Sequence, residues 1–443
     1  MFHRGAILTH TRRLGARSCT RALTALALWP MGAGFAAAQS ISNVQIYGYL
    51  APMMDRISVS GTTSVAPADR PSMLGAAAYG ARGNGSVQRM QSATTHFGFR
   101  GTEDLGGGLQ ALFQLESGFQ VDDGNWTGGA GRSFNRNTRV GLSSRRWGTL
   151  FGGIWDTPSA WSHLGFTNGV RNPYAGDSST IFVTPGFNIP HSVTADTRTN
   201  GPGDATFNRR QGNSVQYWSP EWSGFSVRLS YSLPEGERTA ANGARYKPTI
   251  MGFGAEYAAG PVVLRYVYQQ HKDFFGLAWI GPNPAANPDV AGSTAQGSKD
   301  VNHRLIARYT VNKHWMLQGA FDRLDYRTKG VAAGGMNRYS RNAWSAQVIF
   351  RHDAHTVWAN TGQASDGQCA RVGAQACSTE GLGARNWALG YRHGLSRRTG
   401  VFASVYGVHN RASGQYGVFP RSAAGIAPGS RQTGVTLGLE HAF

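Results

Sequence analysis

The run FGFRGTEDLGGGLQALFQLESGF, residues 97–119, decides what kind of fold this chain adopts. Apolar and polar residues alternate on both sides of a turn rich in glycine and acid, which is typical of two β-strands joined as a hairpin. One face carries Phe97, Phe99, Leu109, Ala111, Phe113 and Leu115. The other carries His96, Gly98, Arg100, Gln110, Gln114 and Glu116. In a soluble protein the apolar face would meet a core, so the rest of the chain must show which face is inside.

The same alternation recurs along the chain and predicts sixteen strands, each near the length that crosses a bilayer when tilted. They are expected near 44–58, 95–102, 109–120, 133–143, 148–156, 212–219, 225–233, 249–257, 262–271, 300–310, 315–327, 339–350, 355–364, 384–394, 399–410 and 432–443. No apolar run in the body of the chain approaches the roughly 18 residues that a membrane helix needs.

The connections alternate strictly between tight turns and long loops. The short ones are TEDLGGG, SRRWG, PEWSG, YAAGP, VNKH, RHDAH and LSRRT. The long ones lie near 59–94, 121–132, 157–211, 234–248, 272–299, 328–338, 365–383 and 411–431. A soluble sandwich, the alternative fold, has no reason to gather every long loop at one end, whereas an outer-membrane barrel has short periplasmic turns and long outer loops. We therefore predict an all-β, 16-stranded antiparallel transmembrane barrel, with apolar faces toward lipid and polar faces toward a water-filled interior.

The N-terminus predicts export. Five arginines precede the apolar run ALTALALWPMGAGFAAA, and three alanines offer a cleavage site before Gln39. We interpret residues 1–38 as a signal peptide and 39–443 as the barrel; a membrane anchor is the alternative. Removal of 1–38 takes away no acids, so 38 basic residues remain against 24 acidic ones, a net charge of +14. That charge favours anionic partners, and export argues against nucleic acid as one of them.

Two cysteines remain after export, Cys369 and Cys377, close together in a polar, glycine-rich stretch. In an oxidising compartment we expect them to form a disulfide; two free thiols are the alternative.

The sequence resembles the trimeric general porins of Gram-negative outer membranes, of the β-proteobacterial type. The resemblance runs from about 44 to 443. It rests on the hairpin 97–119 and on four further runs: VQIYGYL, FNRNTRVGL, RRQGNSVQYWSPEWSGF and the ending TGVTLGLEHAF. It implies a homotrimer in contact with outer-membrane lipid and lipopolysaccharide, which passes small anionic or polar solutes by diffusion. It also implies that the terminal Phe443 is part of the signal that the outer-membrane assembly machinery reads.

The resemblance further implies a constriction built by a long third loop that folds into the barrel. Here that loop, 157–211, is the longest connection, and an exposed loop is the alternative. Acids on or beside it are Asp156, Asp177, Asp196 and Asp204. On the opposite wall the family motif positions are His96, Arg136 and Arg210, with Glu116 as an acidic counterpart; the alternation adds Arg100 to the water side.

Three departures from the family pattern bear on the charge of this constriction: His96, Ala51 and Ile154, the last of which stands where a Gly-Arg pair is common. His96 stands where anion-selective members tend to carry arginine, and a histidine is mostly neutral at pH 7. Ala51 stands where the family pattern has aspartate, which makes the lumen more positive. The sequence therefore predicts a channel that prefers anions. A solute-specific channel of the same fold is the alternative.

Other chemistry finds little support in the sequence. There is no HExxH motif, no zinc spacing of cysteines and no nucleophile elbow. We expect no cofactor, no metal and no enzymatic activity; an enzyme built on an outer-membrane barrel is the alternative from a different functional class.

Overall fold

The computed structural model describes residues 43–63, 85–92, 94–127, 133–164, 180–183, 186–187, 206–278, 280, 283–418 and 426–443. The predicted signal peptide 1–38 and the acids Asp177, Asp196 and Asp204 lie outside these residues. Among the described residues, no helix is both long enough and apolar enough to span a membrane.

The described part of the chain is built almost entirely from antiparallel strands. They are β1 (Gln45–Leu50), β2 (Pro52–Ser60), β3 (Gly85–Ser92), β4 (His96–Gly106), β5 (Leu109–Gly118), β6 (Thr138–Ser144), β7 (Gly148–Asp156), β8 (Arg210–Trp218), β9 (Phe225–Ser232), β10 (Arg238–Thr239), β11 (Arg245–Tyr246), β12 (Thr249–Ala259), β13 (Val262–Lys272), β14 (Gln296–Thr310), β15 (Trp315–Lys329), β16 (Met336–His352), β17 (His355–Ala364), β18 (Gln368–Arg371), β19 (Ala384–Gly394), β20 (Thr399–Asn410) and β21 (Arg431–Ala442). The helices are α1 (Pro158–Leu164) and α2 (Thr180–Val183), with 3-10 turns at Gly276–Ala278 and Pro284–Ala286.

The strands close into one barrel. Each strand pairs with its neighbour in sequence, and the first pairs with the last, since Leu50 lies opposite His441 and Val59 opposite Gln432. The segments β1 and β2 form the first barrel strand and β3 and β4 the second. The hairpin β10–β11 and the short β18 belong to loops, which leaves sixteen barrel strands in the described residues, as predicted. Closure matters in lipid because an open edge would leave backbone groups unpaired.

The two faces of the barrel differ as the alternation predicts. The outer face exposes large apolar side chains; Leu229, Leu305 and Leu389 are 45%, 50% and 50% exposed. The inner face carries polar and charged groups that are buried by one another and by the loops: Asp55, Glu116, Gln216, Asn302, Arg304, Gln318, Gln347, Asn360, Asn386, Gln432 and Glu440. The opening hairpin thus turns its phenylalanines outward and His96, Gly98 and Arg100 inward.

Two stretches of the barrel differ clearly from the predicted strand boundaries. Part of the expected loop 59–94 is strand β3, whose sequence GSVQRMQS has too few apolar residues to reveal a membrane strand. The expected strand 133–143 begins only at Thr138. The cause is Asn135, whose side-chain oxygen accepts from Gly118 N at 2.8 Å and whose amide donates to Gly118 O at 3.3 Å. These side-chain bonds take the place of ladder bonds at Gly118, while Arg136 N still donates to Glu116 O at 3.1 Å. Such local substitutions are not visible in a pattern of hydrophobicity.

The interior is packed at the long-loop end on one side of the barrel. Two apolar clusters lie there, one around Phe207, Leu324 and Tyr339 and the other around Ile181 and Tyr416. Helix α2 contacts β16, β17 and β19, and helix α1 contacts β7, β9, β12, β13 and β14. The described parts of the third loop therefore lie against the inner wall. The candidate site forms on the polar wall from β4 to β9, which α1 reaches at β7 and β9.

Candidate functional site

Glu116 is the centre of a first charged cluster. It points inward from β5, and the residue is only 6% exposed. Arg136 Nε donates to Glu116 Oε1 at 2.7 Å, and the Tyr47 hydroxyl donates to Oε2 at 3.0 Å. His96 Nε2 lies 3.8 Å from the same Oε2. Three of the residues expected at the constriction are therefore in contact, and the tyrosine that joins them from β1 was missed by the sequence reasoning.

A second cluster lies where β7 ends and β8 begins. Asp156 and Arg210 are opposite each other in the strand register, and Arg210 Nε donates to Asp156 Oδ1 at 3.1 Å. Asn137 joins the two, since its amide donates to Asp156 Oδ2 at 2.7 Å and its oxygen accepts from Arg210 Nε at 2.7 Å. Both charged residues are buried. Asp156, expected as an acid of the third loop, thus serves as the partner of a wall arginine.

Arg100 belongs to neither cluster among the described contacts. Its Nε donates to Gln45 Oε1 at 3.2 Å, and its guanidinium lies 4.9 Å from the ring centre of Tyr47. It sits four residues from His96 on β4, closer to the short turn.

Helix α1 is held on the inner wall by small residues and polar contacts. A Cβ atom added at Gly252 would lie 2.6 Å from Pro158 Cδ, so only glycine leaves room for the proline here. Ser159 N donates to Gln269 Oε1 at 3.2 Å, and Ser159 Oγ donates to Asn302 Oδ1 at 2.6 Å. The start of the third loop is therefore docked on β12, β13 and β14.

Beside α1 the wall carries a stack that we call the arginine ladder, in which guanidinium groups alternate with indole rings: Trp155, Arg139, Trp218, Arg228, Trp161 and Arg265. The Arg139 guanidinium carbon lies 4.3 Å from the ring centre of Trp155 and 4.9 Å from that of Trp218. Phe151 adds a further ring 4.7 Å from the same guanidinium. The strands β6, β7, β8, β9 and β13 and the helix α1 of the third loop each contribute a residue to the ladder.

Two arginines of the ladder, Arg228 and Arg265, hold the third loop by packing on both sides of Trp161. The Arg228 guanidinium lies 4.3 Å from the Trp218 ring centre and 4.2 Å from that of Trp161, and Arg265 lies 3.9 Å from Trp161 on α1. Arg265 Nε also donates to Glu256 Oε2 at 2.8 Å. By contrast, in the described part of the chain no carboxylate lies within ion-pair distance of Arg139 or Arg228.

In FSVRLSY, residues 225–231, the alternation places Arg228 on the polar face, but it gives no sign of the ladder. The tryptophans come from distant positions in the sequence, and only the strand register brings them between the arginines. Each such contact is worth about 0.5–2 kcal/mol, depending on how far the pair is removed from water.

A third charged group lies under α1 and is buried. Asp322 accepts from Arg304 Nε at 2.9 Å and from Asn302 Nδ2 at 2.6 Å, and Arg341 Nη1 lies 3.6 Å away. Arg304 Nη1 donates to Ser159 O at 3.0 Å, which ties this network to the third loop. Its burial makes it a support for the loop and not a surface that solutes meet.

The remaining predicted residues lie away from these clusters. Cys369 and Cys377 form a disulfide in the loop between β17 and β19. Phe443 N donates to Gly48 O at 3.1 Å, and Gly48 N donates to Phe443 O at 3.1 Å, so the last residue seals the junction between the first and last strands. The Phe443 side chain is exposed on the outer face.

Comparison with known proteins matches the chain to porins. A family model described as "Gram-negative porin" matches residues 22–413. The chain is 30% identical over 250 residues to an outer membrane porin protein of Bordetella pertussis, a match that covers 54% of this chain and 57% of that protein. It is 26% identical over 357 residues to outer membrane porin protein 32 of Delftia acidovorans, covering 80% and 85% of the two.

The architecture matches solved structures at low sequence identity. An anion-selective porin from Comamonas acidovorans superposes with a TM-score of 0.66 at 21% identity, over 91% of this chain and all (100%) of that one. OmpT of Vibrio cholerae in its trimer form gives 0.55 at 13% identity, over 91% and 99%. At these identities the likeness concerns the fold.

Proposed function

Because the chain belongs to the Gram-negative porin family, we propose that it forms a water-filled channel through which small hydrophilic solutes and ions diffuse, with a preference for anions. Family membership makes it a protein of the Gram-negative outer membrane. The exported form begins near residue 39, assembles as a homotrimer among lipid and lipopolysaccharide, and reaches the membrane through the assembly machinery that reads Phe443. It binds no cofactor and catalyses no reaction.

The constriction is formed by the wall clusters of Glu116 and Asp156 facing the third loop. His96, Arg136 and Arg210 are its basic groups and Glu116 its acid, with Arg100 at the margin. The contacts described above support this role, since they converge from β1, β4, β5, β7 and β8 on one stretch of the wall. Asp177, Asp196 and Asp204 are the acids proposed to face them from the loop.

The observation that carries the anion preference is the imbalance of charge along the lumen wall. In both constriction clusters an arginine is matched by a carboxylate, whereas Arg139 and Arg228 contact aromatic rings and no described carboxylate. In a narrow pore with walls of low dielectric constant, a few such fixed charges dominate which ion enters. Selectivity then follows from pore width and fixed charge.

The test is the reversal potential of the reconstituted protein in a planar bilayer under a KCl gradient. It should be made near 0.1 M salt, where the Debye length is about 10 Å and fixed charges are still felt. We expect an ohmic conductance and a reversal potential of the sign that chloride permeation gives. A potential of the opposite sign would contradict the anion preference, and a protein that inserts without conducting would contradict the channel itself.

A further inference from the structure

Four histidines lie side by side on the outer face of the barrel, at the short-turn end of neighbouring strands. We call them the histidine belt: His314, His352, His355 and His393. His352 ends β16 and is opposite His355, which begins β17, and His355 is in turn opposite His393 of β19. The ring centres of His314 and His352 are 5.1 Å apart, and those of His355 and His393 are 4.9 Å apart. The strand register thus gathers four imidazoles, all at least partly exposed, into one surface.

The belt lies one step beyond the lipid-facing side chains of these strands. Along β19 the outward positions run from Leu389 through Tyr391 to His393, and β16 ends in the same way with Phe350 and His352. Two residues of a strand span about 7 Å. In membrane barrels, aromatic side chains mark the level where hydrocarbon meets the lipid headgroups, and the short turns are periplasmic. The belt is therefore at the headgroup level of the periplasmic leaflet.

Contacts within the belt leave ring nitrogen atoms for a ligand. His314 Nδ1 lies 2.8 Å from Arg351 O, and because a carbonyl only accepts, this nitrogen carries the hydrogen of the neutral ring. His355 Nδ1 lies 2.7 Å from the Tyr391 hydroxyl oxygen. In the described part of the chain, the Nε2 atoms of all four rings have no protein partner. A protonated imidazole donates from both nitrogen atoms, so these rings suit a ligand with negatively charged acceptor oxygens.

The short turns around the belt are basic. They carry three exposed cations: Lys313, Arg397 and Arg398. Asp353 is the one acid of the three turns VNKH, RHDAH and LSRRT, whereas TEDLGGG and PEWSG on the other side of the barrel carry acids and no basic residue. Arg351 and Arg392 alternate with the belt along their strands and point to the inner face. This side of the barrel therefore offers positive charge to the membrane surface, which attracts anionic lipids.

We propose that the histidine belt is a docking surface for the phosphate groups of anionic phospholipids in the periplasmic leaflet. Lys313 and the turn LSRRT supply permanent charge, and the belt adds hydrogen-bond donors whose charge increases as the pH falls. A zwitterionic headgroup is held less well because its own ammonium group compensates its phosphate. The inference rests on the proposed contact with outer-membrane lipid and deepens it by naming the class of lipid. The ion pathway is not involved.

The experiment measures how spin-labelled phospholipids associate with the reconstituted protein in phosphatidylcholine vesicles. The association of phosphatidylglycerol relative to phosphatidylcholine is compared between wild type and His314→Gln/His352→Gln/His355→Gln/His393→Gln. At a pH of about 6 we expect a preference for phosphatidylglycerol of about twofold in wild type and about 1.2-fold in the variant, because the imidazolium charges at the headgroup level are lost. The matched control is His303→Gln, an outer-face histidine of β14 nearer the long-loop end, which should keep the wild-type preference.

A second variant separates charge from the imidazole ring. His355→Lys/His393→Lys keeps two positive charges at every pH used, so its preference should stay constant between a pH of about 6 and about 8, whereas that of wild type should decline. This variant carries the test by itself should the quadruple variant not assemble.

Equal preference in wild type and the quadruple variant, or a wild-type preference that does not change with pH, would overturn the proposal. Loss of the oligomer on unheated gels with an unchanged lipid preference would also overturn it, since a second copy of the chain would then cover the belt. Normal chloride conductance in either case would leave the proposed channel function standing.

Discussion

The constriction clusters and the arginine ladder are two ways of keeping arginine on the wall of one pore. At the constriction, Arg136 and Arg210 each donate to a carboxylate, and the net formal charge of each pair is zero. In the ladder, Arg139 and Arg228 lie between aromatic rings and keep their charge uncompensated by any described carboxylate. A ring stabilises a guanidinium without neutralising it. In the proposed channel, the charge that attracts anions therefore comes from the ladder and not from the two constriction clusters.

This comparison first requires that the ladder faces water. Substitutions on the two opposite faces of β9 test that requirement. Leu229, next to Arg228 but on the outer face, is half exposed. Leu229→Arg should cost about 2–4 kcal/mol if that face meets lipid and should sharply reduce the amount of assembled barrel on unheated gels. Ser226→Arg is the matched control, since Ser226 shares the inner face with Arg228 and lies opposite Glu256. Similar assembly of the two variants would contradict the assignment of faces.

The sharpest test of the difference compares two double variants that each remove two charged groups. Arg139→Gln/Arg228→Gln removes two positive charges, and Arg136→Gln/Glu116→Gln removes one charge of each sign. We expect the first to abolish most of the chloride preference, measured as reversal potential in a KCl gradient near 0.1 M salt, and the second to change it little. The opposite ranking would mean that the constriction pair, despite its zero net charge, sets the selectivity.

The sequence predicted the barrel well because a membrane imposes a simple rule on every strand. Outward positions must be apolar, and alternation revealed that requirement from Phe97 to Leu439 without any knowledge of contacts. It failed at β3, where the sequence GSVQRMQS carries too few apolar residues, and at Asn135, whose side chain takes the place of ladder bonds at Gly118. Contacts that cross the barrel follow no local rule at all.

The candidate site was predictable in part for the same reason. His96, Arg136 and Glu116 lie in motifs that resemble the family, and the structure brings them together. The ladder was not predictable, because Trp161 comes from the third loop and Trp218 from β8, and neither position has a periodicity that relates it to Arg228. The third-loop acids Asp177, Asp196 and Asp204, which lie outside the described residues, remain predictions.

A smaller effect on ion selectivity is expected when one arginine at the constriction loses the carboxylate that pairs with it. Glu116→Gln removes the carboxylate that accepts from Arg136, so one positive charge becomes uncompensated there. The preference for chloride should increase modestly, and Glu256→Gln should act in the same direction because it uncovers Arg265 in the ladder. In both variants the added chloride preference, measured as reversal potential, should be present at 0.1 M salt. It should shrink at 1 M salt, where the Debye length is about 3 Å. A lower chloride preference in Glu116→Gln would show that Arg136 does not act on the ion pathway.

The smallest effect on permeation should come from the disulfide, which lies in an outer loop away from both the constriction clusters and the ladder. Cys369 lies on β18, which pairs with β16 at the long-loop end, and Cys377 is held nearby by the bond between their sulfurs. Closing so small a ring is worth about 2–3 kcal/mol in the chain-entropy account. In Cys369→Ser/Cys377→Ser that loss falls on the loop 365–383, because the sixteen barrel strands keep their pairings without it. The loop should be cut faster by protease in intact cells, while conductance and reversal potential stay at wild-type values. A changed reversal potential would show that this loop reaches the ion pathway. Ion selectivity would then depend on the loop as well as on the constriction clusters and the ladder.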